Sequence, residues 1–154
     1  MSIDRLSFTI PGPPCAKGRP RFTKTGRAYT PGKTRTYEEL VRWHARVAMK
    51  GREPFQGPCS VSVVAYLPIP QSWPITKRGR AMRGEMLPTV KPDADNLLKA
   101  ILDPCNLIVW KDDAQAVDIR VVKRYSADPR VDVAIVNLGA CDRGIPIIPT
   151  EATE

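Results

Sequence analysis

Histidine is almost missing from this chain: His44 is the single one among 154 residues, so a Ser-His-Asp or Cys-His arrangement has little support. It falls among Leu40, Val41, Val47 and Ala48 in a helical pattern, and reads as a core or interface histidine. The four cysteines, Cys15, Cys59, Cys105 and Cys141, lie far apart with no C-x-x-C spacing. That argues against a zinc ribbon and for reduced, packed thiols. No stretch is long or apolar enough to span a bilayer, and the amino terminus lacks the apolar core of a signal peptide. A cytoplasmic protein with no membrane partner is expected. There is no internal repeat. The length suits one domain, expected over residues 1–141, followed by a proline-rich, flexible tail over 142–154.

Acidic residues are also in deficit, 16 against 24 Lys and Arg, giving a net charge of +8. Much of the excess lies early in the chain, where Lys17, Arg19, Arg21, Lys24, Arg27, Lys33, Arg35, Arg42, Arg46 and Lys50 face only Glu38 and Glu39. Clustered arginines among Gly, Pro and aromatics favour a polyanion, bound through counterion release. Lys17, Arg19, Arg21, Lys24 and Arg27 are therefore candidate DNA contacts. Phe22 to Tyr29, around a Thr25-Gly26 turn, suits a small hairpin whose two rings stack on distorted bases or pack onto the domain. Pro68 to Val90 lacks apolar periodicity but carries Lys77, Arg78, Arg80 and Arg83. It reads as a mobile basic loop, and adds Lys77 and Arg78 to the candidate contacts.

In chain order, a strand over Leu6–Ile10 is closed by Pro11-Gly12-Pro13-Pro14. Thr36 and Glu39 form a capping-box pattern that starts a helix from about Tyr37 to Lys50, stopped by Gly51. Cys59 to Leu67, β-branched and apolar, reads as a central strand. Val117–Tyr125 and Val131–Leu138, joined by Ser126–Pro129, read as an antiparallel hairpin. The fold class is α+β, a mixed β-sheet with two main helices packed on it and an acidic metal site at one rim.

Where carboxylates do occur they cluster, between Lys91 and Asp118. Asp93 and Asp95 alternate through Ala94, so both leave one side of an extended chain, and Asp95 suits a helix N-cap. Leu97, Leu98, Ile101 and Leu102 then form an apolar helical stripe beside a polar one of Asp95, Lys99 and Asp103. Pro104 ends the helix, and Asp112 and Asp113 follow. Three or four carboxylates without histidine suit Mg2+ or Mn2+. Cations held by aspartates can serve both the attacking and the leaving oxygens of phosphodiester cleavage, with Lys99 orienting water or stabilising charge. Singly, each group has a plainer reading: a cap, a Lys99–Asp103 pair, a solvated turn. Jointly they favour a metal-dependent site.

The run Asp93-Ala94-Asp95-Asn96-Leu97-Leu98-Lys99-Ala100, then Asp103, then Trp110-Lys111-Asp112-Asp113-Ala114-Gln115-Ala116-Val117, resembles the RusA-type Holliday-junction resolvases, the crossover junction endodeoxyribonucleases common in prophages. The likeness runs from about Phe8 to Val136. It implies that Asp93 and Asp95 of the D-x-D-N motif and Asp113 of the D-D-x-Q motif form the catalytic metal cluster, and that Lys99 is essential. It further implies a homodimer that cuts four-way DNA in pairs, with Mg2+, during recombination and repair. Lys17-Gly18-Arg19-Pro20-Arg21-Phe22, with Tyr29-Thr30-Pro31, is similar to a RusA-like subgroup with a distinct amino-terminal loop. Two other classes remain open on the residues alone. A non-catalytic DNA-binding module has no need of clustered carboxylates, and a magnesium nuclease for flaps or other branched DNA differs only in shape recognition.

Overall fold

The computed structural model describes residues 4–18, 21–29 and 32–140. Arg19 and the expected tail over 142–154 lie outside the described residues, as does Cys141. A four-stranded mixed sheet forms the centre, with strands β1 (Arg5–Pro11), β4 (Cys59–Pro68), β5 (Ala116–Ser126) and β6 (Arg130–Asn137) in the order β1-β6-β4-β5. β6 runs antiparallel to both β1 and β4, and β4 runs parallel to β5. A separate two-stranded ribbon pairs β2 (Arg21–Phe22) with β3 (Ala28–Tyr29), as the Thr25-Gly26 turn suggests. Gly26 has φ 81°, a backbone that glycine adopts without a Cβ clash.

β4 is central because its Val-rich alternation buries Cys59, Val61, Val63, Ala65 and Leu67 on one face while both its edges are paired. Leu6, Phe8 and Ile10 of β1 and Val131, Val133 and Ile135 of β6 join that face. β5 and β6 are not a hairpin, contrary to the expectation from their short connection: β4 lies between them. Crossing one intervening strand means spanning about 9.6 Å, within the reach of the few residues that link them. The deep core prefers the apolar β4 in the middle and leaves β5, with Val117 and Ile119 exposed, at the edge.

Three helices pack on this sheet: α1 (Gly32–Met49), α2 (Ile75–Met82) and α3 (Ala94–Leu102). α1 begins one turn before the expected Thr36 cap, and the Thr36 hydroxyl donates to the Gly32 carbonyl inside the helix at 3.0 Å. Its buried stripe is Thr34, Val41, Ala45 and Met49, so His44 sits half-buried beside the stripe, edge-on to Trp43 at 4.8 Å. α2 replaces the expected loop within Pro68–Val90. Ala81 is its one buried residue, which is why no apolar period announced it. Ring contacts hold it instead, one of them non-local: the Trp73 ring meets Tyr125 of β5 at 5.4 Å, and the Lys77 ammonium lies 4.0 Å from the Trp73 ring centre.

α3 fulfils its pattern, burying Leu97, Ala100, Ile101 and Leu102, and passes at Asp103–Cys105 into a 3₁₀ turn containing Pro104. Cys59 and Cys105 are buried free thiols, and burial pushes them up to about 11 and about 12, as expected for packed, unreactive cysteines. Trp110 is fully buried, and its indole N–H donates to Asn106 Oδ1 at 2.9 Å. This residue closes the 106–110 turn that carries the chain from α3 to Asp112. Trp110→Ala should cost about 3–5 kcal/mol in urea unfolding. Trp110→Phe, which keeps most of the volume and loses the donor, should cost about 1–2 kcal/mol.

Candidate functional site

Asp93 occupies the N-cap position of α3, not Asp95 as expected; with φ −68° and ψ 149° it is still extended, and the first helical bond runs from Leu97 N–H to its carbonyl at 3.0 Å. Its side chain makes no capping bond, so neither carboxylate oxygen is spent on the helix end. Asp95 lies inside the first turn, where the amino-terminal end of the helix favours negative charge. Ala94 is already helical, so the two carboxylates are related by the first turn of a helix and not by strand alternation.

Asp112 and Asp113 have different tasks. Asp112 caps a 3₁₀ turn over Asp113–Gln115, accepting from Ala114 N–H at 2.8 Å. Gln115 completes the box. Its Oε1 accepts from the N–H groups of Lys111 (3.0 Å) and Asp112 (3.2 Å), while its Nε2 donates to the carbonyls of Phe55 (2.7 Å) and Gly57 (3.0 Å). One amide thus fastens the Asp112–Asp113 turn to the segment that leads into β4. Asp113, relieved of capping, turns to the cavity.

That cavity, of about 570 Å3, is lined by Lys17, Gly18, Asp93, Asp95, Asn96, Lys99, Asp103 and Asp113. It brings together the four residues expected to carry the chemistry, Asp93, Asp95, Lys99 and Asp113, from two stretches of chain. The stripe Asp95, Lys99, Asp103 faces it along α3 and its continuation, as a spacing of four dictates. Burial first, then hydrogen bonding with Asp112 and Asp103 and the repulsion of Asp103 and Asp112, hold the Asp113 carboxyl above the usual carboxylate range. The plainer alternative for Lys99 paired it with Asp103. Instead Asp103 meets the Lys17 ammonium, which also lies 3.9 Å from Glu38, and Glu38 in turn reaches Arg42 at 3.7 Å. Among the described residues Lys99 has no such pair, and its ammonium is left to the cavity.

Four aspartates against two lysines give the cavity an excess of negative charge, in hard oxygen donors that suit Mg2+ or Mn2+. Among the described residues no three His, Cys, Asp or Glu side chains already stand as a metal-ligating group. The donor set nevertheless fits a divalent cation: Asp93 spends no oxygen on capping its helix, and four carboxylates line one cavity, where a cation offsets their mutual repulsion.

The expected DNA contacts divide. Lys17 enters the acidic cavity, Lys24 and Arg27 are exposed on the β2–β3 ribbon, and Arg19 lies outside the described residues. Arg21 is placed in β2 by its backbone. Lys77 stacks on Trp73, and Arg78 reaches Gln71 at 3.3 Å beside a second cavity bounded by Pro68, Ile75 and Met82. Sequence reasoning overlooked Gln115 as the clamp, although Asp112-x-x-Gln115 carries the capping-box signature. It also overlooked the Lys17–Asp103 contact, which no local pattern announces.

An acidic cavity of hard oxygen donors on a strongly basic chain combines charge that attracts a polyanion with donors that suit a divalent cation. The chain belongs to the RusA endodeoxyribonuclease family, whose profile, described as Endodeoxyribonuclease RusA, matches residues 11–136. It is also similar to the uncharacterized protein YqaN of Bacillus subtilis strain 168, 38% identical over 145 residues that span 90% of this chain and 100% of the relative. Among the described residues no helix is long and apolar enough to cross a membrane.

Gln115 offers a direct check on how the site is held. Gln115→Ala should lower stability by about 2–3 kcal/mol in chemical denaturation, because two carbonyls and two N–H groups lose their partner. Gln115→Glu should cost more, since a carboxylate would face the Phe55 and Gly57 carbonyls.

Proposed function

We propose that this protein is a structure-selective DNA endonuclease that resolves Holliday junctions by paired, Mg2+-dependent phosphodiester hydrolysis in DNA recombination and repair, with Mn2+ able to substitute. It acts in the cytoplasm as a homodimer, whose two-fold axis supplies two equivalent sites for two related cuts. Residues 1–141 form its one catalytic domain. The observation that carries this reading is the meeting of Asp93, Asp95, Lys99 and Asp113 at one acidic cavity in a chain of the RusA family.

Asp93, Asp95 and Asp113 would hold the cation. Bound there, it supplies neutralisation of the attacking and leaving oxygens and an acidified water. The chain's own groups do the rest. Asp93 presents oxygens that make no capping bond to its own helix, and Asp113 is free of capping because Asp112 caps the turn that carries it. Lys99, without an ion-pair partner among the described residues, orients the nucleophile or meets the phosphate as charge develops. Gln115 fixes the position of Asp113 relative to β4. Lys24 and Arg27 of the ribbon, with Arg19, Arg21, Lys77 and Arg78, provide the sequence-independent attraction to the DNA backbone.

The purified protein, incubated with a synthetic four-way junction, a flap and plain duplex, with and without Mg2+, decides among the possible activities. Symmetric nicks in the junction are expected. Preferential flap cutting would instead make it a flap nuclease, and binding without any product a DNA-binding module. Asp93→Asn, Asp95→Asn and Asp113→Asn should each abolish cleavage and leave junction binding equal or tighter, since each removes a ligand charge and a repulsion together. Normal cutting by any two of them defeats the assignment. Asp112→Asn and Asp103→Asn should be milder. Lys99→Ala should lower turnover by about two orders of magnitude with little change in melting temperature. Replacing Arg19 and Arg21 by alanine should weaken junction and duplex binding alike and flatten the salt dependence by about one unit of slope for each phosphate these arginines meet.

A further inference from the structure

We propose that Lys17 is a positioning residue of the cleavage site, the internal counter-charge that holds Asp103 beside Asp113 without letting it join the metal ligands, and not a DNA phosphate contact. The inference rests on the nuclease reading above and assigns a specific task within it. Lys17 is fixed at both ends: its backbone N–H donates to the Asn96 carbonyl of α3 at 3.2 Å, and its ammonium meets Asp103 at the far end of the same helix. Glu38 of α1 lies 3.9 Å from the same ammonium, and Gly18 N–H donates to the buried Thr34 hydroxyl of α1 at 3.2 Å. The loop is therefore tied to both helices at the rim of the cavity, with the Lys17 side chain turned inward.

The charge balance makes the need plain. Asp93, Asp95, Asp103 and Asp113 share one cavity, so the charge of Asp103 acts on Asp113 across it. An unpaired Asp103 would compete for the cation and pull it toward the carboxyl-terminal end of α3. Paired with Lys17, its charge is answered locally. Asp103 then supports Asp113 as a neighbour while Asp93, Asp95 and Asp113 retain the cation. A lysine already engaged by two carboxylates has little left to give a phosphate, so it should release few counterions from DNA.

Two readouts test this on the full chain, Mn2+ binding without DNA, followed by the electron paramagnetic resonance of free Mn2+, and junction binding and cleavage with Mg2+ over a range of salt. Lys17→Met should tighten Mn2+ binding by about tenfold, because a carboxylate is unmasked. It should also lower kcat by about tenfold or more through misplacement, with KM and the salt slope unchanged. Asp103→Asn should weaken Mn2+ binding by about tenfold, since Lys17 is then the unanswered charge. The Lys17→Met/Asp103→Asn double variant should return to wild-type Mn2+ affinity and recover most of the lost kcat. Lys17→Arg, which keeps the charge, should hold wild-type Mn2+ affinity.

A double variant that stays weak in Mn2+ shows Asp103 to be a ligand and overturns the proposal. So does a Lys17→Met variant that binds Mn2+ normally, cuts with normal kcat and loses about one unit of salt slope, which is the signature of a phosphate contact. If Lys17→Met does not fold, Lys17→Gln and Lys17→Gln/Asp103→Asn take its place: tightened Mn2+ binding in the first with wild-type affinity in the second upholds the proposal, and a second variant that stays weak overturns it. Absence of cleavage by the wild-type protein on every substrate would sink the nuclease reading alone, and the Mn2+ series would still decide the pair. A wild-type chain that binds no Mn2+ would sink both.

Discussion

Like-charge repulsion among the aspartates of one cavity is the constraint around which the rest of this fold is arranged. Such groups stay together only if they are tied down by bonds that do not involve the carboxylates themselves. Asp93 is held by the backbone of α3, whose apolar stripe of Leu97, Ile101 and Leu102 is sunk in the core. Asp113 is held by a turn whose cap comes from Asp112 and whose anchor comes from Gln115 and the buried Trp110. Asp103 follows directly on α3 and carries its own lysine. The division of labour between adjacent residues is instructive: in the Asp112–Asp113 pair, one carboxylate is consumed by the backbone so that the other need not be.

The surrounding charge acts on a longer scale. A chain with a net charge of +8 attracts a polyanion from a distance, while its acidic cavity repels phosphate at close range. The two tendencies are compatible when a cation sits between them, and the sign reversal then becomes a means of alignment. On the proposed reading, a DNA backbone drawn in by the basic ribbon would find its favourable register where a cation is held, because elsewhere along the cavity the aspartates would push it away.

Much of this arrangement was legible in the residues. The stripe of α3, the apolar alternation of β4 and the Thr25-Gly26 turn are all local patterns, and each is found where its period or its turn chemistry indicates, whereas the D-x-D-N run begins its helix earlier, with Asp93 and not Asp95 at the cap. The misreadings share a different origin. α2 has a single buried residue and is held by Trp73 against Tyr125, a contact no window of sequence contains. The Thr36 hydroxyl, which fits a cap, bonds back within a helix that had already begun. Pairing β5 with β6 followed from their proximity in sequence, but the preference of the core for β4 between them is a property of three strands together. Lys17 and Asp103 meet across most of the chain, and a count of basic residues cannot tell an engaged lysine from a free one.

The position of β4 between β5 and β6 also orders events in time. No pairing in the main sheet joins strands linked by a short turn: Leu6 waits for Ile135, and Cys59 for Ala116 and Asn137. Every pairing closes a long loop, which makes the sheet slow to form compared with its helices. On the ribosome, β1 and β4 emerge without partners, and nothing in the main sheet can join until the segment just after Asp113 has been made. The acidic turn is therefore set against β4 at the same stage as the first sheet bonds. A chain that stops before β5 carries all four aspartates of the cavity and no sheet to bring them together.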